Sequence, residues 1–171
     1  MKAMLKKFKP LLEKPCWGVH HGYGRVLKLE FGDPHLEISE PRDSQAKSKR
    51  VREVFARRTI FVKGAWSLWT WGCDWSVRNR GRLVGDSKTN KRASEAALFL
   101  DGQRLKSVTI EGRSTFFDFD LGARLATKPW DKSGEQWSLR CPKDFFLIYF
   151  SDRTYTFSHG SVPDPRRRPM G

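Results

Sequence analysis

Residues 61–77, FVKGAWSLWTWGCDWSV, decide the fold class. Four of the chain's seven tryptophans, Trp66, Trp69, Trp71 and Trp75, fall within ten residues there. Read with a period of two, Trp69, Trp71, Cys73, Trp75 and Val77 share one face, while Ile60, Val62, Trp66 and Leu68 share the other. Aromatic and β-branched side chains in such alternation suit a pleated strand rather than a helix. The change of face near Leu68 requires a bulge, or a strand covered on both sides. Gly64 and Gly72 are the natural bend points. This run is expected to be the central strand system of the domain.

Working outward, residues 26–38, VLKLEFGDPHLEI, alternate cleanly, with Leu27, Leu29 and Phe31 inward and Lys28 and Glu30 outward. Gly32-Asp33-Pro34 reads as a turn before Leu36 and Ile38 resume a strand. Residues 1–14 read as a short helix interrupted by Pro10 and docked on the domain. A turn of helix is expected within 50–58. On the other side, residues 92–100 carry Ala and Leu at helical spacing, with Asn90 or Ser94 as cap and Asp101-Gly102 as the end. Strands follow at 105–110, 115–121, 137–140 and 145–150, and a turn at 151–153 leads into 154–157. In the strand 115–121, Phe117, Phe119 and Leu121 point inward and Asp118 and Asp120 outward. The pattern predicts a mainly β fold, an antiparallel β-sandwich or rolled sheet with one or two short helices. A basic N-terminal segment (1–16) precedes a single β-rich domain (17–160), and a disordered basic tail (161–171) follows it. A weak echo links LKLEFGDPHL to FDFDLGARL, each followed later by Trp-Ser-Leu (66–68 and 137–139). It reads either as a duplication or as coincidence between amphipathic strands.

The formal net charge is +14, from 33 Lys and Arg against 19 Asp and Glu. Its distribution matters more than its size. Segments 1–16, 42–58, 78–92 and 163–171 carry +4, +5, +5 and +2, so the rest of the chain is slightly acidic. Basic segments displayed on a near-neutral scaffold are an electrostatic footprint for an anionic partner, or simply a solvated surface. The three cysteines (Cys16, Cys73, Cys141) are odd in number and lack a CxxC, which points to reduced thiols and a cytoplasmic setting. No run is long enough for a membrane span, and the N-terminus lacks the apolar centre of a signal peptide.

Chemistry is sparse. Cys16, His20 and His21 lie close together, but no second ligand pair stands at zinc-like spacing, so no metal is expected. Asp118 and Asp120 put two carboxylates on one strand face, and Asp74 sits between Cys73 and Trp75. Structural roles outweigh acid–base catalysis for all three. No phosphate-cradling loop, nucleophile elbow, zinc-protease or dinucleotide fingerprint occurs, so no cofactor is expected and enzyme activity is the minority reading. The constellation with most content sets basic loops beside aromatic strands: Arg78, Arg80, Arg82, Lys88, Lys91 and Arg92 follow directly on Trp69, Trp71 and Trp75, and Lys47, Lys49 and Arg50 stand in the earlier basic loop. Lys and Arg neutralise phosphates and aromatic faces stack on bases.

The order of LKLEFGDPHLEI, VKGAWSLWTWGCDWSV, LDGQRLKSVTI, STFFDFDLGARL and EQWSLRCP resembles a group of small bacterial proteins carrying LEFG-PHL, G-W-LW, CDW, LDGQ and FDLG strand motifs. The resemblance covers roughly residues 25–157. It implies a bacterial or phage origin and brings no activity, cofactor or site residue with it. Two functions stay open. One is a non-catalytic binding module that contacts nucleic acid or another polyanion through its basic loops. The other is a protein-binding inhibitor, of an immunity or anti-defence type, that engages an acidic partner protein.

Overall fold

The computed structural model of the protein describes residues 2–22, 25–160 and 168–169. In chain order the strands are β1 (Cys16–His21), β2 (Leu27–Phe31), β3 (His35–Ser39), β4 (Thr59–Lys63), β5 (Trp66–Thr70), β6 (Cys73–Asn79) and β7 (Arg82–Asp86), followed by β8 (Leu105–Glu111), β9 (Ser114–Phe119), β10 (Ala123–Pro129), β11 (Glu135–Cys141), β12 (Phe145–Phe150), β13 (Thr154–His159) and β14 (Arg168–Pro169). The helices are short: α1 (Lys2–Leu5), α2 (Lys49–Phe55) and α3 (Asn90–Leu100), with a 3₁₀ stretch at Lys6–Leu11. A seven-stranded sheet runs β1-β2-β5-β11-β12-β13-β14, a five-stranded sheet runs β7-β6-β10-β9-β8, and β3 and β4 form a separate hairpin. All pairings are antiparallel. The mainly β, antiparallel class read from the alternation is the observed one.

The tryptophan-rich stretch breaks at Gly64 and near Gly72 into β4, β5 and β6. A Cβ on Gly64 would stand 2.5 Å from the Phe31 carbonyl oxygen, so only glycine lets the chain leave the hairpin pressed against β2. β5 is indeed covered on both sides. Leu68 faces the sandwich core at 1% exposure, and Ser67, on the other face, is also buried.

The core lies between the two large sheets. Leu27, Leu29, Phe31, Leu139 and Leu147 from one sheet meet Trp75, Val77, Phe117 and Leu125 from the other. Its centre is aromatic: Trp137 packs edge-on to Phe8 and Phe117 at centroid distances of 5.5 and 6.0 Å and stacks on Tyr149 at 5.1 Å. One buried polar knot joins the sheets. Thr115 and Thr127 both donate to the Gln136 side-chain oxygen (3.2 and 2.6 Å), Gln136 donates to the Arg113 carbonyl, and Trp137 Nε1 donates to the Thr115 hydroxyl. Each of these four side chains thus finds a partner, as burial demands.

Residues 2–16, read as a basic segment ahead of the domain, seal it. Met4, Phe8 and Leu11 are all but fully buried, and Pro10 is accommodated because the chain there is 3₁₀ rather than α. α3 closes another side with Ala93, Ala96, Ala97 and Leu100. Gly85 of β7 makes that approach possible, since a Cβ there would stand 2.0 Å from the Arg92 carbonyl oxygen. The cap of α3 is Thr89, which accepts from the Arg92 N–H, rather than Asn90 or Ser94.

Three local expectations change. Lys28 and Glu30 do not face water; they are 7% and 2% exposed because the β3–β4 hairpin is held over that side of β2. Leu121, expected to point inward, is exposed at the turn after β9. Residues 78–92 are not a loop: they comprise the end of β6, a tight turn at Arg80-Gly81 with positive φ at both residues, β7, and the start of α3. The turn of helix expected within 50–58 is α2. Most of the tail expected to be disordered lies outside the described residues; Arg168–Pro169 pair with β13.

Phe8 tests the sealing role of the N-terminal segment. Phe8→Ala should destabilise the fold by about 3–5 kcal/mol, as truncation of a buried aromatic does. Chemical denaturation reads this directly, and wild-type stability would show that the segment is an appendage.

Candidate functional site

The structure separates the sequence-predicted basic residues into two groups. Arg78 and Arg82 stand on β6 and β7, Arg80 in the turn between them, Lys88 in the connection to α3, and Lys91 and Arg92 at the start of α3, all exposed, at the β7 edge of the five-stranded sheet. Lys47, Lys49 and Arg50 stand far along the chain on the hairpin arm, at and before α2. Within the first group, Arg78 Nη1 donates to the Gly81 carbonyl (2.9 Å) and Arg92 pairs with Asp86 at 3.2 Å. Arg80, Arg82, Lys88 and Lys91 enter no ion pair among the described residues. Arg78 and Lys88 converge with Lys128 of β10 on a depression of about 450 Å³, where Ser76, Ser87, Ser114 and Thr127 contribute to the lining. Nothing in the sequence singles out Lys128; it arrives because β10 pairs with β6 in a register that sets Lys128 opposite Asp74.

The candidate carboxylates are occupied. Asp74 is 44% exposed at its side chain, not buried, and accepts from Arg25 (3.3 Å) and Ser87 (3.1 Å). Asp118 receives a two-pronged contact from Arg124 (2.5 and 3.2 Å) and a third bond from Ser107. Asp120 lies past the end of β9 and accepts from the Arg104 N–H, so it does not share a strand face with Asp118. The cysteines are free, and burial pushes the thiols of Cys16 and Cys73 up to about 12 and that of Cys141 to about 11. Thiols so suppressed are poor nucleophiles and poor metal ligands at neutral pH.

A second site was not legible in the sequence. Between the inner face of the β3–β4 hairpin and the outer face of the seven-stranded sheet lies a pocket of about 390 Å³. The hairpin supplies Glu37 and Lys63, β5 supplies Ser67 and Trp69, and β11 supplies Ser138 and Arg140, with Trp71, Asp144 and Phe146 at the margin. Trp69 and Trp71 stack at 5.4 Å with 18° between their planes, and Trp71 Nε1 donates to Ser138 (3.1 Å). Beside the pocket Glu30 is buried: Lys28 and the Ser67 hydroxyl contact its two oxygens, and the Gly64 N–H donates to it at 3.1 Å. The Lys28 and Lys63 ammonium groups both lie over the Trp69 ring, at 5.0 and 5.6 Å from its centroid. Burial, and then the neighbouring Lys28 ammonium, pull the Lys63 amine below its ordinary value. Arg140 bridges Glu37 (2.5 Å) and Asp144 (3.4 Å) and so clamps the arm to the sheet.

Compared with protein-family models, curated proteins and solved structures, the chain finds no match. Among the described residues no helix is long and apolar enough to cross a membrane.

The clamp has a pH signature. The hydrogen bond from Arg140 holds the Glu37 carboxyl below its ordinary 4.5, aided by the Arg140, Lys63 and His35 charges and opposed by burial. A depressed carboxylate stabilises the docked arm above pH 4.5, and that contribution is lost as pH falls through the lower folded value. Acidification should therefore change the emission of Trp69 and Trp71, while Glu37→Gln should show the altered emission already at neutral pH. Identical acid transitions in both proteins would mean that Glu37 does not hold the arm.

Proposed function

We propose that this protein is a non-catalytic binding module that contacts nucleic acid, or another polyanion, through the basic side of its five-stranded sheet. The observation that carries this reading is the set of exposed cations without ion-pair partners among the described residues, Arg80, Arg82, Lys88 and Lys91, presented on β7, the start of α3 and the connections beside them, next to a hollow lined by hydroxyls and by Asp74 and Asp86. Cations already committed to carboxylates exchange one partner for another when they meet phosphate. Unpaired ones gain the whole interaction and release counterions. The N-terminal end of α3 adds its partial positive charge to the same side. Rigid placement lowers the ordering cost that a mobile basic loop would incur on binding.

Neutralising Arg78, Arg80 and Arg82 together should weaken binding to an oligonucleotide and leave the fold intact, because solvated arginines contribute little to stability. The slope of log K against log salt should fall by about 0.9 for each phosphate that is no longer neutralised on duplex DNA, or about 0.7 on a single strand. A titration at two salt concentrations reads both, and wild-type protein that binds neither form at either concentration overturns the proposal.

A second reading, engagement of an acidic protein partner, is favoured by the hairpin arm. Leu36, Ile38, Ile60 and Val62 line its outer face at 64, 54, 58 and 56% exposure, beside a tip rich in Lys and Arg. An apolar strip with a basic rim matches a protein surface of apolar centre and acidic border better than it matches a phosphate backbone. Leu36→Asp with Val62→Asp, and separately Lys49→Glu with Arg50→Glu, should each abolish co-purification of such a partner. The Arg78/Arg80/Arg82 variant should retain it, and a partner kept by both arm variants removes this reading.

A further inference from the structure

The pocket beneath the arm uses neither the basic edge of the five-stranded sheet nor the outer face of the hairpin, and its chemistry is specific. On one side stands a pair of stacked indoles, fixed by the Trp71–Ser138 hydrogen bond and still open, since Trp71 is 41% exposed. On another side the charges are unevenly matched. Arg140 is taken by two carboxylates, Glu37 and Asp144. Glu30, in contrast, is a single carboxylate approached by two amines: Lys28 is its ion-pair partner, and Lys63 is left with no ion pair among the described residues. Lys63 is therefore a half-buried cation at the pocket wall, beside a second cation and against an aromatic face, attracted by Glu37 and Glu30 but in direct contact with neither.

We propose that this pocket binds a small planar aromatic molecule carrying one anionic group, with its ring laid along Trp69 and Trp71 and its anion paired with Lys63. The volume of about 390 Å³ lies within the range of small-ligand clefts and suits one or two fused rings rather than a nucleotide chain. An anion at Lys63 gives that ammonium an ion-pair partner, which it lacks among the described residues. Ring stacking on the indoles supplies the apolar contact.

The test uses the full chain with 2-naphthoate as probe and 2-naphthalenemethanol as its neutral counterpart, read by calorimetric titration and by quenching of tryptophan emission. Naphthoate should bind saturably at one site and at least about tenfold more tightly than the alcohol, the margin expected of a charge-assisted hydrogen bond. Lys63→Met should bring naphthoate down to the affinity of the alcohol and leave the alcohol unchanged. The Arg78/Arg80/Arg82 variant should bind naphthoate as wild type does, which separates this pocket from general attraction of anions to a basic surface. Should Lys63→Met fail to fold, Trp71→Ala serves: its side chain is partly exposed, and its removal should weaken both probes about tenfold. No saturable binding at millimolar probe, equal affinity for the two probes, wild-type affinity in Lys63→Met, or wild-type affinity in Trp71→Ala each overturns the proposal.

Discussion

Glu30 is a carboxylate shut away from water on the second strand of the seven-stranded sheet, and the outer half of the molecule is arranged around keeping it paired. A buried ion without partners is intolerable, and removing one member of such a pair typically costs about 3–5 kcal/mol. Glu30 is met by Lys28 from its own strand, by the Ser67 hydroxyl from the neighbouring strand and by the Gly64 N–H. The bond from Gly64 matters most for the architecture, because Gly64 is where the chain returns from the hairpin arm into β5. The same residue presses so closely on Phe31 that no side chain fits. The path of the arm and the charge state of one carboxylate are thus the same constraint.

That arrangement explains why a pocket lies there. An apolar layer cannot cover a sheet face that presents Lys28, Glu30, Ser67 and Arg140, so the element laid over it has to bring charges of its own. Glu37 and Lys63 do this, and the mismatch between them and the sheet leaves Arg140 doubly paired and Lys63 without an ion pair among the described residues. On the opposite face of the same sheet no such demand exists. There Leu27, Leu29, Phe31 and Leu68 meet the aromatic cluster of Phe8, Phe117 and Trp137 as an ordinary sandwich core. The two faces of β2 and β5 are solved by different physics: close packing on one, charge pairing on the other.

The sequence pattern carries the first solution far better than the second. Alternation in Leu27, Leu29 and Phe31 and in Phe117 and Phe119 marks inner faces correctly, because burial between sheets leaves a period-two record. The same alternation makes Lys28 and Glu30 look solvated, and nothing local reveals that a hairpin folds back over them. The stretch 78–92 shows a related failure: its charge is legible, yet charge says nothing about whether Arg78 and Arg82 sit in strands or in a loop. Spacing groups Trp69 and Trp71 with Trp75, but the break near Gly72 moves β6 into the other sheet, so Trp75 enters the core while the other two line the pocket. Lys128 joins Arg78 and Lys88 only through strand register, a long-range fact. The echo between LKLEFGDPHL and FDFDLGARL does not carry over into equivalent positions: β2 pairs with β5, whereas β9 and β11 belong to different sheets.

The orientation of the arm follows from the same node. A two-stranded hairpin laid on a domain ordinarily turns its apolar side down, and full burial of four Leu, Ile or Val side chains is worth about 1.5–3 kcal/mol each. Here the polar side is down. Side chains on a strand alternate strictly, so once Glu37 and Lys63 are committed to the pocket, Leu36 and Ile38 on β3, paired with Val62 and Ile60 on β4, have no choice but to face outward. A slip of one residue would bury those four and expose Glu37 and Lys63, at the cost of leaving Arg140 and the Lys28–Glu30 pair under an apolar lid. A half-satisfied charge cluster is worse than four solvated aliphatic side chains. The exposed strip on the arm is therefore not a packing defect to be explained by itself. It is what remains when the buried carboxylate has set the register, and it leaves on the surface the type of contiguous apolar patch that another molecule can use.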